Sequence, residues 1–456
     1  MHSPRYGSFR SFRLRCSWLL LVLACYAPSV VKWQHASAAE PNTAEPNTAE
    51  PSAGPDDALS VNDEVETLID QLSSPAFATR EAASKRLLEI GAPTLEMLRK
   101  AKQHTAIEVR ERANRICEEI DKVIFESITK KFILAADGTE SFGLPAWDVF
   151  RSISGDSRTS KLLFVTMLRS QSELARYVEA ASKAKGTANS AVAFEELAER
   201  AAAEADKLRV RSFRGELPSV GDTVGLLMAS SLFSDTLPTA SASNEVNEII
   251  VASLYRAPQA EYFTKAGYDR CMRALAGQWI HKTQASLAND VLSIALQRSI
   301  PEGAAVARRH LDPSNDRETR VFALQCLARF GNEGDIASVS KLLNEELVVY
   351  EFTDQSDIGS PRDGIQEDDM PPPGLKPYNP PRDVRRMVVR LNDVAMAVCM
   401  VLGSEDLTAV FPKYKPNESN GMVLVDFAFP ADGQEKHKLA IARWKHEHPQ
   451  FVEENH

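Results

Sequence analysis

The feature that most constrains this chain is a helical register that returns along its length. Arg80 and Ala83 are followed, eight residues past the alanine, by Gly91, and Arg320 and Ala323 are followed at the same offset by Gly331. Ala395 is followed at that offset by Gly403, while Arg110 and Ala113 repeat the opening without the glycine. A small residue in mid-helix lets a neighbour approach, apolar residues around it form a stripe, and glycine ends the run. One packing unit used several times predicts antiparallel helix pairs that must stack to bury their apolar faces. Such an array presents a surface to partners and needs no pocket.

A chain of 456 residues is too long for one small core, so two or three domains or one extended array is expected. Aromatic residues make up only 7% while alanine and leucine abound, a bias toward helix. Valine, isoleucine and threonine form no long alternating run that would argue for a sheet. The predicted fold class is therefore all-α, an irregular α-solenoid with a non-repeating helical middle.

Residues 1–38 read as a signal peptide. Arg5, Arg10, Arg13 and Arg15 precede a short apolar stretch, and Ala38 and Ala39 flank the expected cleavage point. The apolar run is shorter than the span of about 20 residues a membrane helix needs. Cys25 sits in a loose lipoprotein-like box, which keeps a lipid anchor as the lesser alternative. Removal of the segment takes away five basic residues and moves the net charge from −10 to about −15. So acidic a chain repels phosphates, and neither nucleic acid nor anionic lipid is an expected partner. Residues 39–59 repeat Ala-Glu-Pro with proline every five residues, a composition that predicts a disordered spacer.

Helical spacing then runs through 60–125, where Val65, Leu68, Ile69 and Leu72 form one stripe and Ala83, Leu87 and Ile90 another. The region 126–311 is helical without a clean repeat, and 312–456 returns to the repeat. A turn-rich, acidic and Pro-rich insertion at about 354–381 is expected to be solvated. Cys117, Cys271, Cys326 and Cys399 lie far apart, and all but Cys271 stand in apolar slots of predicted helices, the pattern of small core residues.

The run from Phe77 through Arg80 to Ala83, with Gly91, Pro93 and Leu95, then Glu108, Val109, Arg110 and Ala113, resembles a HEAT-type repeat. The runs Asp316–Gly331 and Asp393–Gly403 are similar to it, with Asn392 in the arginine's place in the last copy. The resemblance covers about a third of the chain, and copies separated by 30, 210 and 72 residues share no period. It implies helix pairs, and secreted bacterial proteins of this type. In stacked pairs, Arg80, Arg110 and Arg320 are expected to bridge one repeat to the next through acidic residues.

A search for chemistry yields little. His446, His448 and His437 are the best metal candidates, yet histidines two apart share no face of a helix, and an exposed tail is the expected reading. Ser338 with Lys341 matches Ser-x-x-Lys, but the companion motifs of that enzyme class are missing. Gly221 to Gly225 lacks a phosphate-binding lysine. Glu195 with Glu196 and Glu345 with Glu346 fall on polar faces. Trp147, Trp279 and Trp444 read as core anchors. No catalytic residue, cofactor or metal is expected. The sequence points to a non-catalytic scaffold in the bacterial envelope that binds protein or peptide. The alternative is an enzyme or small-ligand binder with its site in the helical middle.

Overall fold

The computed structural model describes residues 55–233, 240–283, 285–354, 385–416 and 421–451. The expected signal peptide with Ala38, Ala39 and Cys25, and nearly all of the 354–381 insertion, lie outside these residues. The chain divides into two compact units, 1–67 and 68–456. Of the first, the described part belongs to helix α1 (Pro55–Gln71), in which Val65 is buried. This helix takes in the last five residues of the predicted spacer, and Pro55 is tolerated there as its first residue.

The second unit is predominantly helical. Its N-terminal part holds α2 (Phe77–Ile90), α3 (Leu95–Ala101) and the long α4 (Ile107–Leu134). Ala83 and Ala113 are buried, as are Leu87, Leu98, Ile116 and Cys117 around them. Next come α5 (Trp147–Ser154), α6 (Arg158–Ala184), α7 (Ser190–Phe213), α8 (Val220–Ser230) and α9 (Ala240–Leu254). All eleven residues of α8 are buried, so it is the internal helix of this region. It packs against α6 where a Cβ on Gly221 would lie 2.5 Å from the Thr166 carbonyl oxygen. At the same crossing α6 kinks at Gln171, whose side-chain amide donates to the buried Asp222.

The chain continues through α10 (Ala257–Tyr262), α11 (Tyr268–Lys282), α12 (Ala288–Arg298), α13 (Gly303–Arg309), α14 (Arg317–Phe330) and the short α15 (Ile336–Ser340). It ends with α16 (Leu391–Leu402) and α17 (Gln434–Glu447). One apolar core runs without a break from Phe132 to Trp444, and Trp147, Trp279, Ala323 and Ala395 all belong to it.

The all-α expectation holds for the bulk of the described residues, with one small sheet added to it. A three-stranded antiparallel sheet joins β1 (Val348–Asp354), β2 (Arg385–Arg390) and β3 (Phe429–Pro430) in that order. Val348 pairs with Arg390 and Asp354 with Arg385, with a register shift between Val348 and Tyr350. The strands escape a pattern search for physical reasons. Partners lie far apart in sequence, and the last four residues of β2 are all buried, which erases the alternation of a half-exposed strand.

Candidate binding face and buried His437–Asp393 contact

Arg80 and Arg110 occupy equivalent places in α2 and α4 and do the same work. Arg80 Nη1 donates to the carbonyls of Ser74 and Pro75 at 2.8 and 3.1 Å. Arg110 Nη1 donates to those of His104 and Thr105 at 2.8 and 2.9 Å. Each arginine closes the turn before its own helix. Arg80 also lies 3.4 Å from Glu108 of the following copy. Arg320 differs in being 3% exposed; it donates to the Leu311 carbonyl and to Glu345 Oε1.

The three glycines at a shared offset have different reasons to be glycine. Gly91 ends α2 at φ +73° and ψ −131°, a positive-φ backbone that favours glycine. Gly331 is extended, but an added Cβ would lie 2.5 Å from the Leu327 carbonyl oxygen. Gly403, at φ −81°, has ordinary helical backbone, and an added Cβ would press on Glu405 Oε1 at 3.1 Å and the Cys399 carbonyl oxygen at 3.3 Å.

The same repetition places apolar side chains in water. Phe77 and Ile107 begin α2 and α4 and are 64% and 63% exposed. Between the two helices lies a groove of about 220 Å³. Leu88 and Ile116 line its floor, and Lys85, Arg112, Arg115 and Glu119 line its rim. Arg112 is held by Glu108 and Glu81, and Lys85 lies 4.0 Å from Glu89 with its side chain largely in solvent, so the lining mixes Lys85, Arg112 and Arg115 with Glu81 and Glu119.

The histidine expectation requires the larger correction. His437 is on α17, 1% exposed, and pairs through Nδ1 with the fully buried Asp393. Asp393 also accepts the Arg390 amide at 2.9 Å and so caps α16. Burial pushes the Asp393 carboxyl above its ordinary value, against the opposing pull of His437 and Arg390. The His437 and Asp393 side chains are in contact without hydrogen-bond geometry: His437 Nδ1 and Asp393 Oδ1, like Arg390 Nη1, Asn392 Oδ1 and His437 Nε2 around them, have no hydrogen-bond partner. At the far end of α17, His448 packs on Trp444 and lies 3.3 Å from Glu405. The three histidines of the sequence expectation therefore do not converge, and no group of three metal-ligating side chains occurs among the described residues.

Other candidates resolve into structure. Asp222, a buried carboxylate of the middle region, bonds Ser219 and Gln171 and caps α8. Ser338 is exposed. Glu345 and Glu346 pair with Arg320 and Lys438. Cys117, Cys271, Cys326 and Cys399 are free and buried, and burial pushes the thiols of Cys117, Cys326 and Cys399 up, away from the reactive thiolate. No helix among the described residues is long and apolar enough to cross a membrane. Comparison with protein-family models, with curated proteins and with solved structures finds no match.

Proposed function

We propose that this chain is a non-catalytic scaffold of the HEAT-repeat type, exported to the bacterial envelope, whose stacked helix pairs form an irregular solenoid that binds protein. The observations that carry the reading are the repeated exposure of Phe77 and Ile107 and the groove between α2 and α4. Two large apolar side chains at one register of successive copies cost solvation in the free protein and gain it back on contact. The Leu88 and Ile116 floor suits an aliphatic side chain. The Lys85 and Arg115 rim suits carboxylates next to it. The fitting partner is thus a segment in which leucine or isoleucine is flanked by aspartate or glutamate, held by several weak contacts.

A photo-crosslinking residue placed at Phe77 or Ile107 in native envelopes should give one discrete adduct. That adduct should fade when Lys85→Glu and Arg115→Glu are combined. The same residue placed at the exposed Val192 serves as control. Identical adducts from all three sites, or an adduct indifferent to the charge reversal, would remove this face as the interface.

A further inference from the structure

The outer face of α4 continues past the groove it shares with α2. Ile116, Glu119, Val123, Glu126, Lys130 and Ile133 follow one another at intervals of three, four, three, four and three residues, which is one stripe on a helix. Ile116 and Glu119 belong to the α2–α4 groove. Glu126, Lys130 and Ile133 belong to a second groove of about 320 Å³, which α4 forms with Arg158 and Arg169 of α6. Val123 stands between the two and is 65% exposed. From Ile116 to Ile133 the stripe runs roughly 26 Å at 1.5 Å per residue.

The second groove combines two kinds of surface. Ile133 and the 66% exposed Leu134 are its apolar part. Lys130, Arg158 and Arg169 are its cations, and none of the three has an ion pair or a side-chain hydrogen bond among the described residues. Arg112, Arg200 and Arg308, by contrast, each hold a carboxylate. In a chain of net charge −10, three uncommitted cations around an aliphatic floor attract an acidic partner that the rest of the surface repels.

We propose that the whole outer face of α4, from the α2–α4 groove to the arginines of α6, is one docking surface for an acidic amphipathic helix of a partner protein. The proposal rests on the reading of the α2–α4 groove as a protein-binding surface and gives the partner its form. A helix laid along α4 sets leucine or isoleucine, recurring every three or four residues, against Ile116, Val123 and Ile133. Aspartates and glutamates flanking that stripe at one end reach Lys130, Arg158 and Arg169. About five turns cover the stripe. An extended strand finds no sheet edge here, because the walls of both grooves are helices. A second copy of this chain is the poorer occupant. The first groove sets Lys85, Arg112 and Arg115 against Glu81 and Glu119, and the second sets its three cations against Glu126, so pairing the face with itself brings basic surface onto basic surface.

The test uses the purified full-length chain and a stapled synthetic helix of about 18 residues, with leucine on one stripe and glutamate on both flanks. A matched helix carries lysine on the flanks. By fluorescence anisotropy the glutamate helix should bind at least about tenfold more tightly than the lysine helix. Arg158→Glu with Arg169→Glu reverses two exposed charges and should weaken the glutamate helix about tenfold. A photo-crosslinking residue at Leu88, Val123 or Leu134 should capture that helix from each position, and one at Val192 should not. Equal binding of the two helices, or binding indifferent to the charge reversal, would overturn the proposal. Capture at Leu88 alone would overturn it and leave the α2–α4 groove as an interface, and capture at Leu134 alone would break the single face in two. No capture at any of the three, with the envelope adduct at Phe77 intact, would refute the helix and spare the earlier reading. Displacement of the helix by phosphatidylserine vesicles would make this face a membrane contact instead.

Discussion

Asp335 shows how a single side chain ties separate elements together. It is 6% exposed, receives Arg308 Nε and Nη2 on its two oxygens at 2.6 and 2.9 Å, and accepts the Asn332 amide. The Arg308 guanidinium holds its carboxyl below the ordinary value of 3.8, with the Asn332 amide adding to the pull against burial. A carboxyl depressed in the folded state contributes stability that is present above 3.8 and lost as pH falls through the folded value. Asp335→Asn should therefore cost about 1–3 kcal/mol at pH 7 and much less at pH 2. Urea midpoints at the two pH values check this, and an equal loss at both would exclude the ion pair as the cause. None of this was legible beforehand, because a polar residue buried by a partner 27 positions away carries no periodic signal. His437 and Asp393 were hidden for the same reason, whereas Ala83, Ala113, Ala323 and Ala395 were readable because apolar burial repeats with the helix.

At the scale of elements, the repeat is a turn device as much as a packing device. Arg80 and Arg110 each satisfy two carbonyls that precede their helix, and neither helix has a side-chain cap for its first N–H groups. The sequence predicts bridges between copies. The bridge from Arg80 to Glu108 exists, and half of its acidic partner is in solvent, so it contributes little. Arg320 sits in a dry setting, and its loss would strand both Glu345 and the Leu311 carbonyl. Truncation to alanine should accordingly cost about 1 kcal/mol at Arg80 or Arg110 and roughly 3 kcal/mol or more at Arg320. Urea denaturation of the three variants ranks them, and equal costs would show that burial does not set the difference. The strands belong to this scale too. The buried half of β2 leads directly into the apolar α16, so no alternation separates strand from helix.

Across the whole second unit, α4 is the element that decides how the parts cooperate. Its 28 residues reach roughly 42 Å at 1.5 Å per residue. The first half, with Val109, Ala113, Ile116 and Ile120, buries the N-terminal repeats, and none of these residues joins the core that runs from Phe132 to Trp444. Phe132, near the other end of the same helix, is in that core and stacks edge-on against Trp147. Two apolar interiors are thus threaded on one helix, and the chain can lose the smaller without exposing the larger. Leu98→Asp places a charge in the smaller interior, where Leu98 is fully buried. It should abolish exchange protection over residues 77–120 while leaving protection at Trp147 and Trp279 and the near-ultraviolet dichroism of those indoles intact. The proposed binding face would be lost with it, because Phe77, Ile107 and the groove all lie on the melted part. If the substitution instead melts residues 126–444 in the same transition, the two interiors are one cooperative unit, and α4 transmits stability between them.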